Sequence, residues 1–213
     1  MRHSDTLDKI VGTYLPAVAH EPIEYKGKKY QPKPLVVSPN LIRGFTCPPL
    51  CGACCGSFSL DYLPDESPTS EAAPRVVQVN GNVYLVKSDR QADVGDRWCR
   101  NLDKTNGRCL VYDLRPMACD FELIRFLVYT DKVILTQKLY GRAWAMTRLN
   151  GSKGTCCEML SPSGSAADEV LRKLSRLEEW ADLFQIPTRI SAIKLWIRNG
   201  DYQRPLVLSP NKV

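Results

Sequence analysis

The sequence predicts an α+β fold: a small, loop-rich domain built around clustered cysteines, with β-hairpins in its body and two C-terminal helices. Three observations support this prediction. Cysteine, glycine and proline are concentrated in short segments such as 47–56, where they exclude long helices. Two β-branched runs flank Asn80-Gly81, a dipeptide typical of hairpin turns. Apolar residues recur at helical spacing between residues 165 and 200.

The length of 213 residues suits one domain of ordinary size, or one domain with an appendage. We predict three parts. Residues 1–46 form a basic, proline-containing N-terminal lead-in, and residues 47–160 form the cysteine-cluster domain. Residues 165–200 form a helical pair that packs on that domain.

In the N-terminal part, the segment 25–30 predicts a small hairpin with Gly27 in its turn. The three prolines that follow predict an extended chain: Pro32, Pro34 and Pro39. The cysteine block after them predicts a tight loop, because only a loop lets several thiolates point at one centre. A short element over 57–63 and an exposed loop over 64–74 come next.

In the middle of the chain, the segment 75–87 predicts the clearest hairpin, with Asn80-Gly81 at its turn. The runs 121–130 and 133–140, separated by Asp131-Lys132, predict a second hairpin, with a helix over the first run as the alternative. The segment 151–164 predicts a loop.

At the C-terminal end, Ser165 predicts a helix cap, with Asp168 three residues on. One helical face carries Val170, Leu171, Leu174, Leu177, Ala181 and Phe184. Pro187 ends this helix, and Thr188 opens a second helix that Asn199-Gly200 stops. Four apolar side chains of the second helix are expected to be partly buried: Ile190, Ile193, Leu195 and Ile197.

Charge and hydropathy indicate which environments suit the chain. The net charge of +6 is moderate and its basic residues are scattered among acids, which argues against nucleic-acid binding. The N-terminus lacks the apolar run of a secretory signal, and no window approaches the roughly 18 apolar residues of a membrane span. We therefore expect a cytoplasmic protein with no membrane partner, in a reducing compartment where disulfides are rare.

The cysteines carry the chemistry of this sequence. There are nine, an odd number that argues against a pure disulfide framework, and four of them fall within nine residues. All nine are candidate metal ligands: Cys47, Cys51, Cys54, Cys55, Cys99, Cys109, Cys119, Cys156 and Cys157. Thiolates select zinc, copper(I) or iron–sulfur clusters. The set supplies two four-thiolate sites, or one cluster and several buried thiols.

Alternatives remain for individual cysteines. Cys156 and Cys157 also fit buried small hydrophobic residues, and vicinal pairs fit a disulfide switch. Cys54 and Cys55 are adjacent, so their side chains tend to diverge, and one of them is expected to serve a different role or a second centre. His3 and His20 lie outside the clusters and are not expected to be ligands.

The spacing Cys47-x3-Cys51-x2-Cys54 matches the one by which radical SAM enzymes hold a [4Fe–4S] cluster. The residue before the third cysteine is usually aromatic there, whereas it is Ala53 here. The chain is also short for that barrel and lacks alternating βα units. We take the spacing as a clue to an iron–sulfur cluster and not to the fold.

Taken together, the cysteine blocks resemble the YkgJ-type proteins, the CxxCxxCC family of zinc- or iron-chelating proteins. The resemblance extends over 47–157. Its blocks are Cys-Gly-Ala-Cys-Cys-Gly at 51–56, Trp-Cys-Arg-Asn-Leu at 98–102, Gly-Arg-Cys-Leu-Val-Tyr at 107–112 and Tyr-Asp-Leu-Arg-Pro-Met-Ala-Cys at 112–119. The sequence departs from the family pattern in two ways. The first gap has three residues, which leaves the role of Cys47 open, and there is one cysteine more than eight, so the closing ligand is Cys156 or Cys157.

The resemblance implies metal or iron–sulfur binding. Some members are labelled iron–sulfur oxidoreductases, and a flagellin lysine methylase looks related through the same motif. Arg115 in the Arg-Pro block is a candidate cofactor-binding residue, through a hydrogen bond to a cluster sulfur or an anion, with a loop-fixing salt bridge as the alternative. Asp61 and Asp120 are candidates to support the ligands, or to cap turns.

We therefore predict a thiolate-ligated metal-binding protein that holds an iron–sulfur cluster, [4Fe–4S] by its spacing, with a redox or protein-modification role. Catalysis is left open between an iron–sulfur oxidoreductase and a protein-modifying accessory. The alternative is a structural zinc protein that binds an unknown protein partner without catalysis. A third hypothesis is a thiol redox switch without metal.

Overall fold

Helices and strands are mixed in the computed structural model, which confirms the α+β class. The structure describes residues 6–46, 59–66, 72–90, 99, 101–111, 117–121, 124–137, 146–147, 153–154, 158–200 and 202–210. The helices are α1 (Thr6–Lys9), α2 (Leu15–Val18), α3 (Met117–Asp120), α4 (Gly164–Leu183) and α5 (Ile190–Asn199). A π-helical turn (Ile10–Tyr14) joins α1 to α2, and a 3₁₀ turn covers Pro39–Ile42.

The strands follow the turns that the sequence predicts. They are β1 (Ile23–Tyr25), β2 (Lys28–Tyr30), β3 (Leu35–Val37), β4 (Arg43–Thr46), β5 (Ser59–Tyr62), β6 (Ala73–Val79), β7 (Asn82–Arg90), β8 (Ile124–Val128), β9 (Val133–Gln137), β10 (Met146–Thr147), β11 (Lys153–Gly154), β12 (Glu158–Pro162) and β13 (Leu206–Leu208).

Within the described residues, strand pairing produces two larger sheets and two ribbons. One sheet has the order β2-β1-β6-β7-β5, and the other has the order β13-β3-β9-β8. In the second sheet β3 and β9 run parallel, whereas their other neighbours are antiparallel. The ribbons are β12-β4 and β10-β11. Strands far apart in the sequence therefore lie side by side.

The predicted hairpins are confirmed. Asn80 and Gly81 have φ of 50° and 80°, and Lys26 and Gly27 have φ of 50° and 69°, as a two-residue turn with positive φ at both positions requires. The second hairpin consists of β8 and β9, so the alternative helix over 121–130 is wrong for the part that forms β8. The predicted loop over 151–164 is wrong where it forms β11 and β12.

The N-terminal part contains a helical segment that the sequence analysis did not predict. Its apolar side chains are buried in the main core, Leu7, Ile10 and Leu15 among them with no exposed surface. The buried carboxylate of Asp61 on β5 accepts the backbone N–H of Leu7 at 3.0 Å. An acceptor at the first turn of a helix satisfies one of its unpaired donors, so β5 caps α1 from a distance in the sequence.

The C-terminal helices form where they are predicted, with two corrections. The α4 cap is Ser163, whose hydroxyl accepts the Ala166 N–H at 3.3 Å, and not Ser165. Leu195 is 58% exposed on α5 and was wrongly placed on its buried face. Gly200, with φ of 73°, ends α5 as predicted.

Among the described side chains, a large continuous core cluster joins most of these elements. It includes side chains from the N-terminal helical segment, both larger sheets, α4 and α5. Its largest fully buried side chains are Trp180, Phe121 and Phe184. No cysteine is a member of this core cluster among the described residues, so its packing is supplied by other side chains.

Candidate metal centre

Three of the nine predicted cysteine ligands lie in the described part of the chain: Cys99, Cys109 and Cys119. The other six lie outside the described residues, namely Cys47, Cys51, Cys54, Cys55, Cys156 and Cys157. Arg115, the predicted cofactor-binding residue, also lies outside them. The geometry of the candidate site is therefore built from the loop 99–111, from α3, and from the strands that border the other cysteines.

Cys99 begins a tight turn in the loop 99–111. Its residue is 8% exposed, and its carbonyl oxygen accepts the Leu102 N–H at 3.0 Å. The Asn101 N–H donates to Cys99 Sγ at 3.4 Å. Hydrogen bonds to ligand sulfurs are among the features that surround thiolate-held metal centres.

Cys109 lies across from the same turn. Leu102 and Cys109 form an isolated antiparallel bridge, and the Leu110 N–H donates to the Asn101 carbonyl oxygen at 2.8 Å. The chain therefore doubles back so that Cys109 is paired beside the turn that Cys99 begins. Backbone pairing therefore fixes Cys109 opposite Leu102, which is three residues after Cys99 in the chain.

Asp103 holds the tip of this loop. Its carboxylate accepts the Thr105 N–H at 2.8 Å and the Thr105 hydroxyl at 2.6 Å, and it also accepts the Asn106 side-chain amide. The hydrogen bonds from Thr105 lower the pKa of Asp103. Gly107 closes the loop at a φ of 74°, with its N–H donating to the Asp103 carbonyl oxygen at 2.7 Å.

The sequence analysis did not identify Asp103 as a contributor to the site. The segment Asp103-Lys-Thr-Asn-Gly carries the signal for it. Aspartate side chains bond the backbone two residues on, and glycine supplies the positive φ that ends such a turn. Asn101 was also missed, because its contribution comes from the backbone N–H, which side-chain identity does not reveal.

Cys119 lies on α3, a short helix fixed by its neighbours. Met117 and Phe121 on either side are fully buried in the main core. The partly buried Cys119 packs against Leu60 and Tyr62 of β5, in a satellite cluster separate from that core. β5 begins at Ser59, four residues after Cys55 in the sequence, so this contact links Cys119 to the strand that follows the first cysteine cluster along the chain.

Two acidic residues, Asp61 and Asp120, were predicted either to support the metal ligands or to cap turns. Asp61 caps α1 through Leu7, and its carboxylate also lies 3.5 Å from Arg75 Nη1. Side chains alternate along a strand, so Asp61 and the pair Leu60 and Tyr62 lie on opposite faces of β5. The capping alternative is thus the one observed for Asp61. The Asp120 side chain lies outside the described groups.

The remaining candidate donors do not assemble in the described segments. Within these segments, no group of three or more histidine, cysteine, aspartate and glutamate side chains is placed to hold a metal ion. His20 Nδ1 lies 3.2 Å from the Pro210 carbonyl oxygen, and His3 lies outside the described residues. Cys99, Cys109 and Cys119 would thus need partners from the undescribed cysteines to complete a four-thiolate site.

None of the helices in the described ranges is both long enough and apolar enough to cross a membrane.

Residues 46–138 match the CxxCxxCC family model, whose description reads "Putative zinc- or iron-chelating domain". This match confirms the resemblance that the cysteine blocks predict, and it supports metal binding. The matched segment ends before Cys156 and Cys157. No curated protein and no solved structure matched the chain.

Proposed function

We propose that this protein binds an iron–sulfur cluster, of the [4Fe–4S] type, through cysteine thiolates. The observation that carries the proposal is the hydrogen bond from the Asn101 N–H to Cys99 Sγ, in a turn that is paired with Cys109. Backbone donors aimed at ligand sulfurs are among the features that tune iron–sulfur potentials. A buried cysteine that serves only for packing needs no such donor.

Iron–sulfur ligation is favoured over zinc by the pattern of the undescribed cysteines. The spacing Cys47-x3-Cys51-x2-Cys54 is one that holds [4Fe–4S] clusters, and the adjacent Cys54 and Cys55 do not suit one small tetrahedral ion together. Four-cysteine sites suit both centres, so the choice rests on this spacing. The remaining cysteines, with Cys99, Cys109 and Cys119, then complete the cluster or build a second centre.

The proposed cluster would give the protein a one-electron redox or protein-modification role. In it Arg115 would donate to a cluster sulfur or hold an anion beside the cluster. Such a role requires a second protein as redox partner or substrate. A zinc centre in the same cysteines would instead fix the loops and leave the surface to bind that partner without catalysis.

The test is metal analysis of the full chain purified without air. We expect iron and acid-labile sulfide in equal amounts, at about four of each per cluster, with a broad visible band that bleaches on reduction. Zinc in place of iron, in a colourless protein, would contradict the iron–sulfur assignment but preserve metal binding. A protein that contains neither metal would overturn both.

A matched pair of variants ties the metal to the described loop. Cys109→Ser removes a candidate ligand, and Leu110→Ser changes the adjacent side chain, which is 68% exposed. We expect the cysteine variant to lower iron and sulfide per chain, whereas the leucine variant should match the wild type. Equal metal content in both variants would remove Cys109 from the site.

A further inference from the structure

Strand β6 is paired along its whole length on one side, and at a single position on the other. Its antiparallel register with β7 covers residues 73–79. With β1 it shares only the pair of Tyr25 with Val79. In the described part of the chain, the edge of β6 over residues 74–77 therefore has no neighbouring strand.

The two-residue turn between β6 and β7 fixes which backbone groups of β6 point to this free edge. The residues that flank such a turn exchange both their hydrogen bonds, and Val79 is one of them. Bonded and non-bonded pairs alternate along an antiparallel pair. Val77 is therefore bonded to β7, whereas Val76 directs its N–H and its C=O away from β7. The same edge is used by Asn80, whose N–H donates to the Glu24 carbonyl oxygen on β1 at 3.0 Å.

Pro74 is typical of an edge strand. Proline has no N–H to donate, so within sheets it is confined to edges, strand starts and bulges. Because Pro74 lies two residues before Val76, its missing N–H would also point to the free edge, and the pairing with β7 loses no bond. An edge proline disfavours pairing with an identical edge. A strand that has all its donors is thus a better occupant than a second copy of this chain.

An exposed aliphatic stripe lies beside this edge. Val76 is opposite Leu85 in the register, and the two residues are 68% and 61% exposed. Val83 lies two residues before Leu85 on the same face and is also 68% exposed. Scattered apolar side chains are ordinary on a surface, whereas a contiguous group indicates an interaction site. An added strand would place its own aliphatic side chain next to Val76 and extend this row.

The aliphatic stripe lies on the face of the sheet against which Cys119 packs. β5 pairs Tyr62 with Lys87, and Lys87 shares a face with Leu85 because the two are two residues apart. Tyr62 and Leu60 are therefore on this face, where they contact Cys119. Neighbouring strands are about 4.7–4.9 Å apart, so a strand added to β6 would lie about 15 Å from β5. A bound segment would thus be held on the side of the sheet that carries a candidate metal ligand.

A cavity of about 280 Å³ opens at the free edge. It is lined by residues 24–27, residues 75–78 and Gly81. This volume is below the roughly 300–1,000 Å³ of small-molecule pockets and suits a side chain of a bound segment. The cations of the lining have carboxylate partners. Lys26 Nζ lies 2.7 Å from Asp8 Oδ1. Arg75 Nη1 lies 3.5 Å from Asp61 Oδ1. Backbone and apolar groups, more than charge, therefore determine what binds.

We propose that the free edge of β6 binds an extended segment of a partner protein as an added strand, with an aliphatic side chain of that segment packed on Val76 and Leu85. In strand addition, main-chain hydrogen bonds supply affinity and alternate side chains supply specificity. The inference goes beyond the proposed metal-binding function, which requires a partner but assigns it no surface. It applies to an iron–sulfur cluster and to a zinc centre alike.

The first test selects a linear peptide on the full chain from a random peptide library and measures its affinity for variants. Val76→Pro removes the outward N–H and places the proline ring at the edge, without loss of a bond to β7. We expect the selected peptide to bind Val76→Pro at least about tenfold more weakly than the wild type, and Leu85→Thr about three- to tenfold more weakly. Val207→Thr changes a similarly exposed valine on β13 and should leave the affinity unchanged. Unchanged affinity for Val76→Pro, or a library without a binder, would overturn the proposal.

Amide hydrogen exchange of the wild type, followed by nuclear magnetic resonance, does not depend on whether a variant folds. In the free chain the Val76 amide should exchange much faster than the Val77 amide, whose N–H is bonded to β7. The selected peptide should slow exchange at Val76 by at least about tenfold and leave Val77 little changed. A Val76 amide that is as protected as Val77 in the free chain would show that the edge is already paired, and would contradict the proposal.

Metal analysis and light scattering separate this inference from its alternatives. Val76→Pro should retain the wild-type metal content, because the change lies outside the cysteine blocks. A wild type that binds the peptide but no metal contradicts the proposed function alone. A wild type that binds metal but selects no peptide contradicts strand addition alone. A dimer of the free chain that dissociates in Val76→Pro would assign the edge to a second copy and overturn the partner assignment.

Discussion

Arg189 offers the sharpest prediction, because three separate chain segments depend on its guanidinium. The residue is 3% exposed. Its Nη1 donates to the Leu208 carbonyl oxygen at 2.9 Å, and its Nη2 donates to the carbonyl oxygens of Ala17 at 2.9 Å and Lys33 at 3.0 Å. It thus ties the end of α2, the chain before β3 and strand β13 to the start of α5.

The expected cost of Arg189→Met follows from two opposing terms. Hydrogen bonds to a charged group contribute roughly 1.5–3 kcal/mol each, and three of them are lost. Burial lowers the pKa of Arg189 to about 10, which corresponds to roughly 3 kcal/mol against the charged form and is relieved by methionine. We therefore expect the free energy of unfolding to fall by about 2–5 kcal/mol.

Urea unfolding of the full chain, followed by circular dichroism, measures this change, with Arg204→Met at an exposed position as the control. The control should stay within about 0.5 kcal/mol of the wild type. Arg189→Lys should recover only part of the loss, because an ammonium lacks the fork that reaches three carbonyl oxygens. The reasoning is refuted if Arg189→Met is as stable as the control.

The pH dependence provides a further check on Arg189. Its pKa is lower in the folded state, so the unfolded chain binds the proton more tightly and linkage acts only between the two values. Both lie well above neutrality. The stability difference between the wild type and Arg189→Met should therefore be constant from about pH 6 to pH 9, apart from effects of other groups.

Four further perturbations test other parts of the molecule. Asp61→Ala removes the acceptor for the Leu7 N–H and should lower the free energy of unfolding by about 1–3 kcal/mol in urea titrations, with Asp61→Asn intermediate. Asp103→Ala loosens the turn of the Cys99 loop and should speed metal loss to a chelator by up to about tenfold. The lowered pKa of Asp103 keeps its carboxylate charged at pH values where an ordinary aspartate begins to protonate, so the loop should lose this support only at pH below the ordinary aspartate range. Leu174→Ala should cost about 2–5 kcal/mol in urea unfolding, whereas the exposed Leu195→Ala should cost under about 0.5 kcal/mol. Metal removal should leave the far-ultraviolet circular dichroism of the chain largely unchanged, because the main core cluster contains no described cysteine.

Each of these has a distinct contradicting result. An unchanged Asp61→Ala protein would mean that α1 does not need its distant cap. Unchanged chelator kinetics in Asp103→Ala would separate the turn from the site. The lowered pKa would be contradicted if the metal-loss rates of wild type and Asp103→Ala already converge as the pH falls into the ordinary aspartate range. Equal costs for the two leucines would contradict the burial of Leu174 on α4 and the exposure of Leu195 on α5. Loss of the helical signal on chelation would make the metal part of the fold, as in small zinc domains.

Local signals predicted the hairpins and the C-terminal helices. The turn at Asn80-Gly81 is readable because its two residues tolerate positive φ, and the apolar spacing on α4 repeats over twenty residues. Errors occur where the signal is ambiguous at short range. Ser163 and Ser165 are both acceptable caps in the sequence, and only the helix start distinguishes them.

The N-terminal helical segment was missed for a physical reason. It contains Gly12 and Pro16, and its side chains are buried on most sides, so it lacks the polar face that gives a helix its periodic pattern. Its first turn is capped by Asp61, which lies 54 residues away from Leu7. Tertiary contacts therefore determine whether this helix forms, and such contacts cannot be inferred from neighbouring residues in the sequence.

The candidate site shows the same division between local and distant information. The cysteines and their spacing are visible in the sequence, and the loop after Cys99 forms through neighbours that the sequence also shows. Which distant blocks meet is decided by strand pairing, as in Thr46 with Glu158, and by packing, as in Cys119 against β5. Because the main core cluster contains no described cysteine, its packing is independent of Cys99, Cys109 and Cys119. We therefore expect the sheets and helices to form without metal, in contrast to a metal-stapled loop, which unfolds when its metal is removed.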